Sequence, residues 1–146
     1  MVLREMLQQD ICGCFQVRTS VRENRYSLEA LRQEGITEAS VAEMLATTHK
    51  GWVCEVEGKI VGFSMGNRKN GEFWVVAVLP EYEGRGIGRK LMELTVQWLR
   101  ASPCADIWLR TSPDTSTRAY ALYKKFGWED CSIQKNQRIM KLRHEG

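Results

Sequence analysis

The feature that most constrains this chain is a junction near its middle, where three alternating glycines separate a strand pattern from a helix pattern. Residues 72–79 are apolar on both faces, which is typical of a strand in the middle of a sheet. Residues 86–100 repeat apolar side chains at the spacing of an amphipathic helix. Gly84, Gly86 and Gly88 lie where the two patterns meet. The fold must therefore bring a central strand and the start of a helix to one point.

The glycine loop predicts an anion cradle. Glycine lets backbone N–H groups approach a phosphate, and the helix start adds a partial positive charge, which Arg85 and Arg89 reinforce. A dinucleotide fingerprint is disfavoured because Arg89 or Leu91 stands where its last glycine is needed. A nucleotide-hydrolase loop is also disfavoured, since residues 88–90 read Gly-Arg-Lys rather than Gly-Lys-Ser/Thr.

The remaining periodicity predicts helices first, followed by alternating strands and helices. Ser27, Thr37 and Ser112 are predicted helix N-caps, and Pro113 is expected in the first turn after Ser112. Glycines at 58 and 71 predict tight turns between strands. Helices are predicted around 11–21, 28–34, 38–45, 86–100 and 113–126, and strands around 2–6, 52–56, 60–65, 72–79, 105–111, 128–133 and 138–142.

Length and composition predict one globular domain over residues 1–146. The chain has 43% hydrophobic residues and a formal net charge of +3, an excess too small to indicate a nucleic-acid partner. No apolar run approaches the roughly 20 residues of a membrane span, and the first residues lack a signal-peptide layout. We therefore expect a cytoplasmic protein with no membrane partner.

The cysteines predict a reducing compartment and no metal site. The chain has 5 cysteines, an odd number that lacks disulfide-framework spacing. Cys12 and Cys14 form the one tight pair, and His49 and His144 lie far apart in sequence. A zinc site is therefore not expected.

Two segments together resemble a known family. Residues 76–80 and 83–88 are similar to the strand end and phosphate loop of the Gcn5-related N-acetyltransferases, the GNAT family, and residues 118–128 resemble its second signature. Glu83 and Ser116 depart from the residues that the family usually carries. The resemblance implies a mixed α/β (α+β) fold with a mostly antiparallel sheet of about six to seven strands and about four helices, splayed at the acetyl-CoA site. It also implies N-acetyl transfer with acetyl-CoA as co-substrate and no metal.

The resemblance implies specific contacts to acetyl-CoA. Backbone amides of the glycine loop would hold the pyrophosphate, and the pantetheine arm would run along the strand at Val76 and Val78. The Val78 N–H would face the acetyl carbonyl and stabilise the oxyanion. Lys124 and Lys125 either reach the 3′-phosphate or form an ordinary solvated helix end. The full set of implied cofactor contacts is Val76, Val78, Arg85, Gly86, Ile87, Gly88, Arg89, Ser116 and Tyr123.

Two side chains are candidates for proton transfer. Glu72 matches the position of the glutamate base in the histone-modifying branch, and it is preferred over Glu55 and Glu23. Its alternatives are a plain charged strand start or a water-relayed base. Tyr123 matches the family's general acid, although its spacing also fits a core tyrosine.

The acceptor is implied only as a class. The resemblance implies that the acceptor is a primary amine of a small molecule or a protein. In the family, the segments that match residues 18–26 and 132–137 form the walls of the acceptor cleft. The tryptophans at 52, 74, 108 and 128 are expected mainly in the core. The alternative function is a catalytically silent regulator that binds CoA. A mechanism through an acylated cysteine is disfavoured. The resemblance is also compatible with a homodimer.

Overall fold

A computed structural model of the protein describes residues 1–23, 26–104 and 106–142. Within these residues five α-helices pack against seven strands. The elements in chain order are β1 (Val2–Glu5), α1 (Ile11–Arg18), α2 (Leu28–Gln33), α3 (Glu38–Thr47), β2 (His49–Val56), β3 (Lys59–Asn67), β4 (Glu72–Val78), α4 (Ile87–Arg100), β5 (Ile107–Thr111), α5 (Arg118–Phe126), β6 (Trp128–Gln134) and β7 (Gln137–Leu142).

The strands form one sheet in the order β1-β2-β3-β4-β5-β7-β6. Every neighbouring pair is antiparallel except β4 and β5, which run parallel. The expected mixed, mostly antiparallel architecture is confirmed, with five helices in place of about four. No helix among the described residues is long and apolar enough to cross a membrane.

The parallel strands β4 and β5 touch at one end and separate at the other. Their register contains a single pair, Glu72 with Trp108. Gly71 allows this approach, because a Cβ at that position would overlap the Asp106 carbonyl. The Trp108 N–H donates to the Gly71 carbonyl at 3.2 Å. Beyond this anchor the facing edges of β4 and β5 are unpaired, so the sheet is splayed in its middle.

A β-bulge at Trp74 changes which face of the sheet each β4 side chain occupies. The register with β3 pairs Gly66 with Phe73 but Met65 with Val75, so Trp74 is the extra residue. Without the bulge, strict alternation would put Glu72 and Val75 on opposite faces. With it, both lie on the face covered by α1.

The two faces of the sheet carry different helices. Helix α4 packs on one face, where the Ser64 hydroxyl lies 2.7 Å from that of Thr95 and donates to the Leu91 carbonyl at 3.2 Å. The α1 side buries Ile11 and Val17, which are 3% and 1% exposed. Apolar side chains on both faces of the central strands follow from this two-sided cover.

Two predicted helix caps are confirmed and one is wrong. Ser27 accepts the Ala30 N–H, and Thr37 accepts the Ser40 N–H. Helix α5 is capped by Thr117, which accepts the Tyr120 N–H at 3.1 Å, and not by Ser112. The Ser112 hydroxyl instead accepts the Asp114 N–H in the preceding turn. Ala105, the predicted first residue of β5, lies outside the described residues.

Candidate active site

The splay between β4 and β5 opens into a cleft of about 860 Å³. One wall is the exposed edge of β4, and the floor is the glycine loop with the start of α4. The opposite wall is formed by the end of β5 and by α5, including Tyr123. The strand, loop and helix of the central junction thus meet around a single concave site.

The glycine loop forms one end of this cleft. Gly84 and Gly86 have φ values of 79° and 78°, a backbone conformation that glycine adopts without strain. Gly86 is the N-cap of α4 and has no side chain to bond the first N–H groups of the helix. The first-turn N–H groups of a 14-residue helix therefore meet the cleft beside a positive helix end. This arrangement suits an anionic ligand.

The free edge of β4 presents two backbone N–H groups to the cleft. The Leu79 N–H donates to the Val61 carbonyl at 2.8 Å, which makes these two residues a hydrogen-bonded pair of the β3–β4 ladder. Hydrogen-bonded and non-bonded pairs alternate along an antiparallel ladder. In the observed register Val78 and Val76 are therefore non-bonded to β3. Their N–H and C=O groups point towards the splay, where a ligand could complete the strand.

The charge of the cleft is more positive than that of the chain. Among the described residues that line it, six are cations and two are carboxylates. The whole chain carries a net charge of only +3. The lining ions are Arg18, Arg22, Arg89, Arg110, Arg118 and Lys125, together with Glu23 and Glu83.

Glu83, at the start of the glycine loop, is held by two of these arginines. Its carboxylate lies 3.3 Å from the Arg118 guanidinium and 4.0 Å from that of Arg22. Glu23 accepts the Arg118 backbone N–H at 2.8 Å, next to the start of α5. These contacts join the segment after α1 to both sides of the cleft. They also pair two cations, Arg22 and Arg118, with a carboxylate at the glycine-loop end of the cleft.

Tyr123 lies on the α5 wall and is 7% exposed. Its ring packs edge-on against Trp128, with ring centroids 6.4 Å apart. Burial raises the pKa of the Tyr123 hydroxyl to about 12, and the nearby charge of Arg18 opposes the rise. The hydroxyl is therefore protonated at neutral pH and can donate a proton or a hydrogen bond.

A second cavity of about 390 Å³ adjoins the cleft on the α1 side of β4. The two spaces share lining residues at their junction, among them Arg18, Trp74 and Arg110. Glu72 lines the smaller cavity only. The bulge at Trp74 places Glu72 on this side of the sheet.

Glu72 is a buried carboxylate paired with an arginine. It is 6% exposed, and the Arg110 guanidinium contacts its oxygens at 3.3–3.4 Å. Burial raises the pKa of the Glu72 carboxyl above its ordinary value, and Arg110 opposes the rise. A buried carboxylate with a raised pKa is a better proton acceptor than one in water.

The predicted contacts are distributed unevenly around the cleft. Most of them line it, but Arg85, Ser116 and Lys124 do not. The Arg85 guanidinium lies over the Tyr82 ring. The Ser116 hydroxyl donates to Asp114, and Lys124 forms an ion pair with Asp130. Lys125, in contrast, lines the cleft.

Two of the charged residues that line the cleft were not predicted as site residues. Arg110 lies on β5 and Arg118 begins α5, both far in sequence from the loop and from the strand that they face. No local pattern marks Arg110, and Arg118 is the first residue of the segment that resembles the second family signature, which gave it no role. Their roles arise only because the sheet topology brings β5 beside β4.

The model of the Acetyltransferase (GNAT) family matches residues 5–128. Among curated proteins, an uncharacterized N-acetyltransferase of Archaeoglobus fulgidus is 36% identical over 80 residues, covering 47% of this chain and 54% of that protein. The [ribosomal protein bS18]-alanine N-acetyltransferase of Escherichia coli is 33% identical over 61 residues, covering 42% and 40% of the two chains. The matches thus span about half the length of these relatives.

Solved structures share the fold at low sequence identity. The PaiA N-acetyltransferase of Thermoplasma acidophilum, in complex with coenzyme A, has a TM-score of 0.82 and 14% identity, covering 99% of this chain and 100% of that one. The E. coli ribosomal-protein-S18-alanine N-acetyltransferase has a TM-score of 0.75 and 20% identity, covering 97% and 92%. A family match over most of the chain, a shared fold and a splayed central sheet lead to one conclusion: the chain belongs to the GNAT family of acetyltransferases.

Proposed function

We propose that this protein transfers the acetyl group of acetyl-CoA directly to the primary amine of an acceptor. The observation that carries the proposal is the unpaired edge of β4. The glycine loop follows one end of this strand, and the buried carboxylate of Glu72 lies at the other end. A silent CoA-binding regulator needs the loop alone. Tyr123, which lines the cleft beside this edge, and Glu72, at the start of the same strand in the adjoining cavity, favour an enzyme.

Acetyl-CoA would lie along the cleft with its pyrophosphate at the glycine loop. The backbone N–H groups of residues 85–89 would bind the phosphates, and Lys125 would lie near the 3′-phosphate. Ser116 remains a weaker candidate, since its hydroxyl donates to Asp114. The pantetheine arm would pair with Val76 and Val78 in the manner of an added strand.

The reaction would join the acceptor nitrogen to the acetyl carbonyl carbon. About one lysine-like amine in 2,500 is neutral at pH 7, so a group that accepts the ammonium proton raises the reactive fraction. Glu72 would take that proton, directly or through water. The amine lone pair then forms the C–N bond while the carbonyl oxygen becomes an oxyanion.

A backbone N–H on β4 would stabilise that oxyanion. The Val78 N–H is our first candidate, and Val76 offers the same donor about 7 Å further from the loop. The length of the arm decides which of them meets the carbonyl. Collapse of the oxyanion breaks the C–S bond and leaves the electron pair on sulfur, where Tyr123 would supply the proton. The new amide nitrogen would then lose its second proton, which restores the Tyr123 hydroxyl through water.

The first test is acetyl-CoA binding by calorimetry together with a thiol-release assay on a panel of amines. We expect binding, and release of CoA with at least one amine. Binding without turnover on any amine would support the silent regulator. Absence of binding would contradict the assignment of the phosphate loop.

We expect Glu72→Gln to lower kcat/KM for the amine about 10-fold. This is below the 100- to 10,000-fold typical of general bases, because Arg110 limits the basicity of this carboxylate. The raised pKa of Glu72 means that the wild-type enzyme loses activity as the pH falls through a value above 4.5. In the variant, kcat/KM should instead fall with pH over the whole range below the amine's own pKa of about 10.4, because only the neutral amine then reacts. The measurement is kcat/KM against pH.

Glu55→Gln is the matched control for this prediction. Glu55 also forms an ion pair with an arginine, Arg4 at 2.9 Å, but lines neither cavity. Its variant should keep both the wild-type kcat/KM and the acid limb. An unchanged pH profile in Glu72→Gln would exclude Glu72 as the base.

We expect Glu83→Gln to bind CoA about 5-fold more tightly at low salt. The substitution removes a negative charge at the glycine-loop end of the cleft. Arg118 and Arg22 lose their ion pairs with Glu83 and become available to the phosphates. Calorimetry at two salt concentrations is the measurement, and the gain should shrink as salt screens it. Glu81→Gln, at an exposed residue outside the cleft, is the control. Weaker binding by Glu83→Gln would mean that the ion pairs hold the cleft in its binding shape.

A further inference from the structure

Two arginines lie at the junction between the cleft and the smaller cavity. Among the described residues, the ones that line both spaces are Arg18, Tyr26, Trp74, Val75, Arg110 and Gln137. The charged members of this group are both cations, whereas Glu34 and Glu72 line the smaller cavity only. An acceptor amine placed between Glu72 and the acetyl carbonyl would lie at this junction. The acceptor must therefore suit a positively charged surrounding.

The charge of Arg110 is balanced by Glu72 before the reaction. Its guanidinium lies 3.3 Å from the nearer Glu72 oxygen and packs over the Trp108 ring, 5.3 Å from the ring centroid. This balance is lost each time Glu72 accepts the proton of the amine. The junction then gains one positive charge, which an anionic group on the acceptor would offset.

Arg18, the last residue of α1, supplies the second positive charge. Its guanidinium lies over the Tyr26 ring, 4.6 Å from the ring centroid, and its side chain is half-buried. Burial lowers the pKa of Arg18, yet a guanidinium stays charged at neutral pH. The charge of Glu34 also acts on Arg18, but Glu34 is exposed, so water screens it. A half-buried cation attracts an anion more strongly than a cation in open water.

The polar groups of the junction suit a ligand group that only accepts hydrogen bonds. Guanidiniums are donors only, and the Tyr26 hydroxyl and the Gln137 amide can also donate. A carboxylate is such an acceptor and carries the complementary charge. A polyamine or an aminoglycoside would bring further cations to the two arginines. A peptide N-terminus would bring a neutral amide carbonyl, which forms a weaker hydrogen bond than a carboxylate.

We propose that the acceptor is a free amino acid whose α-carboxylate binds Arg18 while its amino group meets Glu72 and the acetyl carbonyl. This inference rests on the proposed function. The side chain would lie in the smaller cavity, whose volume of about 390 Å³ is in the range of pockets that hold one small molecule. The amino nitrogen forms the amide bond, and the carboxylate is unchanged in the product.

A comparison of amino acids with their carboxamides tests the proposal. The panel pairs the common amino acids with the corresponding amides and adds spermidine and alanyl-alaninamide. Each kcat/KM is divided by the neutral fraction of that amine at the assay pH. The best amino acid should exceed its amide, spermidine and the peptide by at least about 10-fold, as expected for a charge-assisted hydrogen bond. A smaller ratio, or a preference for any of the three, would overturn the proposal while leaving acetyl transfer intact.

Arg18→Gln provides the second measurement. The substitution removes the charge and keeps a hydrogen-bond donor. The ratio of kcat/KM for the amino acid to kcat/KM for its amide should fall to about 1, mainly through a higher KM for the amino acid. The pKa values of the two amines cancel in this change, because the same acceptors are used with both proteins. An equal loss for both acceptors would indicate a structural role for Arg18 and contradict the proposal.

Arg32→Gln is the matched control for Arg18→Gln. Arg32 lies on α2, is 69% exposed and lines neither cavity. Its variant should keep the wild-type ratio of amino acid to amide. Arg18→Lys retains the charge and should give a ratio between those of the wild type and Arg18→Gln. Equal ratios in Arg18→Gln and Arg32→Gln would show that Arg18 does not bind the carboxylate.

Failure of the proposed function can be separated from failure of this inference. If CoA binds but no amine is acetylated, calorimetric titration of the CoA complex with the same amino acids tests the junction alone. Binding that Arg18→Gln weakens about 10-fold would support an amino-acid site in a silent protein. Absence of binding by every amino acid, or binding that the variant leaves unchanged, would overturn the inference.

Discussion

Gly86→Ala should bind CoA about 100-fold more weakly than the wild-type protein. A Cβ at Gly86 meets no protein atom within 4 Å, and Gly86 lines the cleft at the end where the phosphates are proposed to lie. Loss of two charge-assisted backbone hydrogen bonds accounts for a change of this size. The measurement is the Kd for CoA by calorimetry.

Gly35→Ala is a closely matched control. Gly35 has φ +80°, against +78° at Gly86, and its added Cβ likewise meets nothing within 4 Å. Each alanine is placed in the left-handed region, so each variant should lose about 1 kcal/mol of unfolding free energy. Of these two glycines, Gly86 lines the cleft and Gly35 does not. Equal CoA affinity in the two variants would show that the loop does not hold the phosphates.

Tyr123→Phe should lower kcat by 10- to 1000-fold and change the Kd for CoA by less than about 2-fold. The substitution keeps the ring that packs on Trp128 and removes only the hydroxyl. Because the pKa of Tyr123 is raised to about 12, the wild-type enzyme keeps this proton up to high pH. The loss in kcat should therefore be similar between pH 7 and 10. Single-turnover thiol release is the measurement.

Tyr120→Phe separates a role in the cleft from a general effect on α5. The Tyr120 hydroxyl donates to Asp130 at 2.8 Å and lies outside both cavities. This variant should keep kcat within about 2-fold of the wild-type value. If Tyr123→Phe behaves in the same way, Tyr123 is a core residue and not the proton donor.

Local chemistry made part of this molecule predictable. The glycine loop, the amphipathic spacing of α4 and the caps at Ser27 and Thr37 depend on residues within a few positions of one another. Each is decided by a hydrogen bond or a face that the segment itself provides. The prediction of Ser112 as the N-cap of α5 was wrong, because Thr117 also offers a hydroxyl before the helix. Only the packing of α5 determines which one meets a free N–H.

The sequence by itself determined the element order, the buried central strand and the glycine loop that follows it. The tertiary structure decided how these parts form a site. Trp74 is extra in the register between β3 and β4, and that one residue puts Glu72 on the α1 face. Arg110 and Arg118 reach the cleft because β5 lies parallel to β4 and parts from it after a single pair. Register, splay and long-range ion pairs depend on contacts between segments distant in sequence, and no local pattern encodes them.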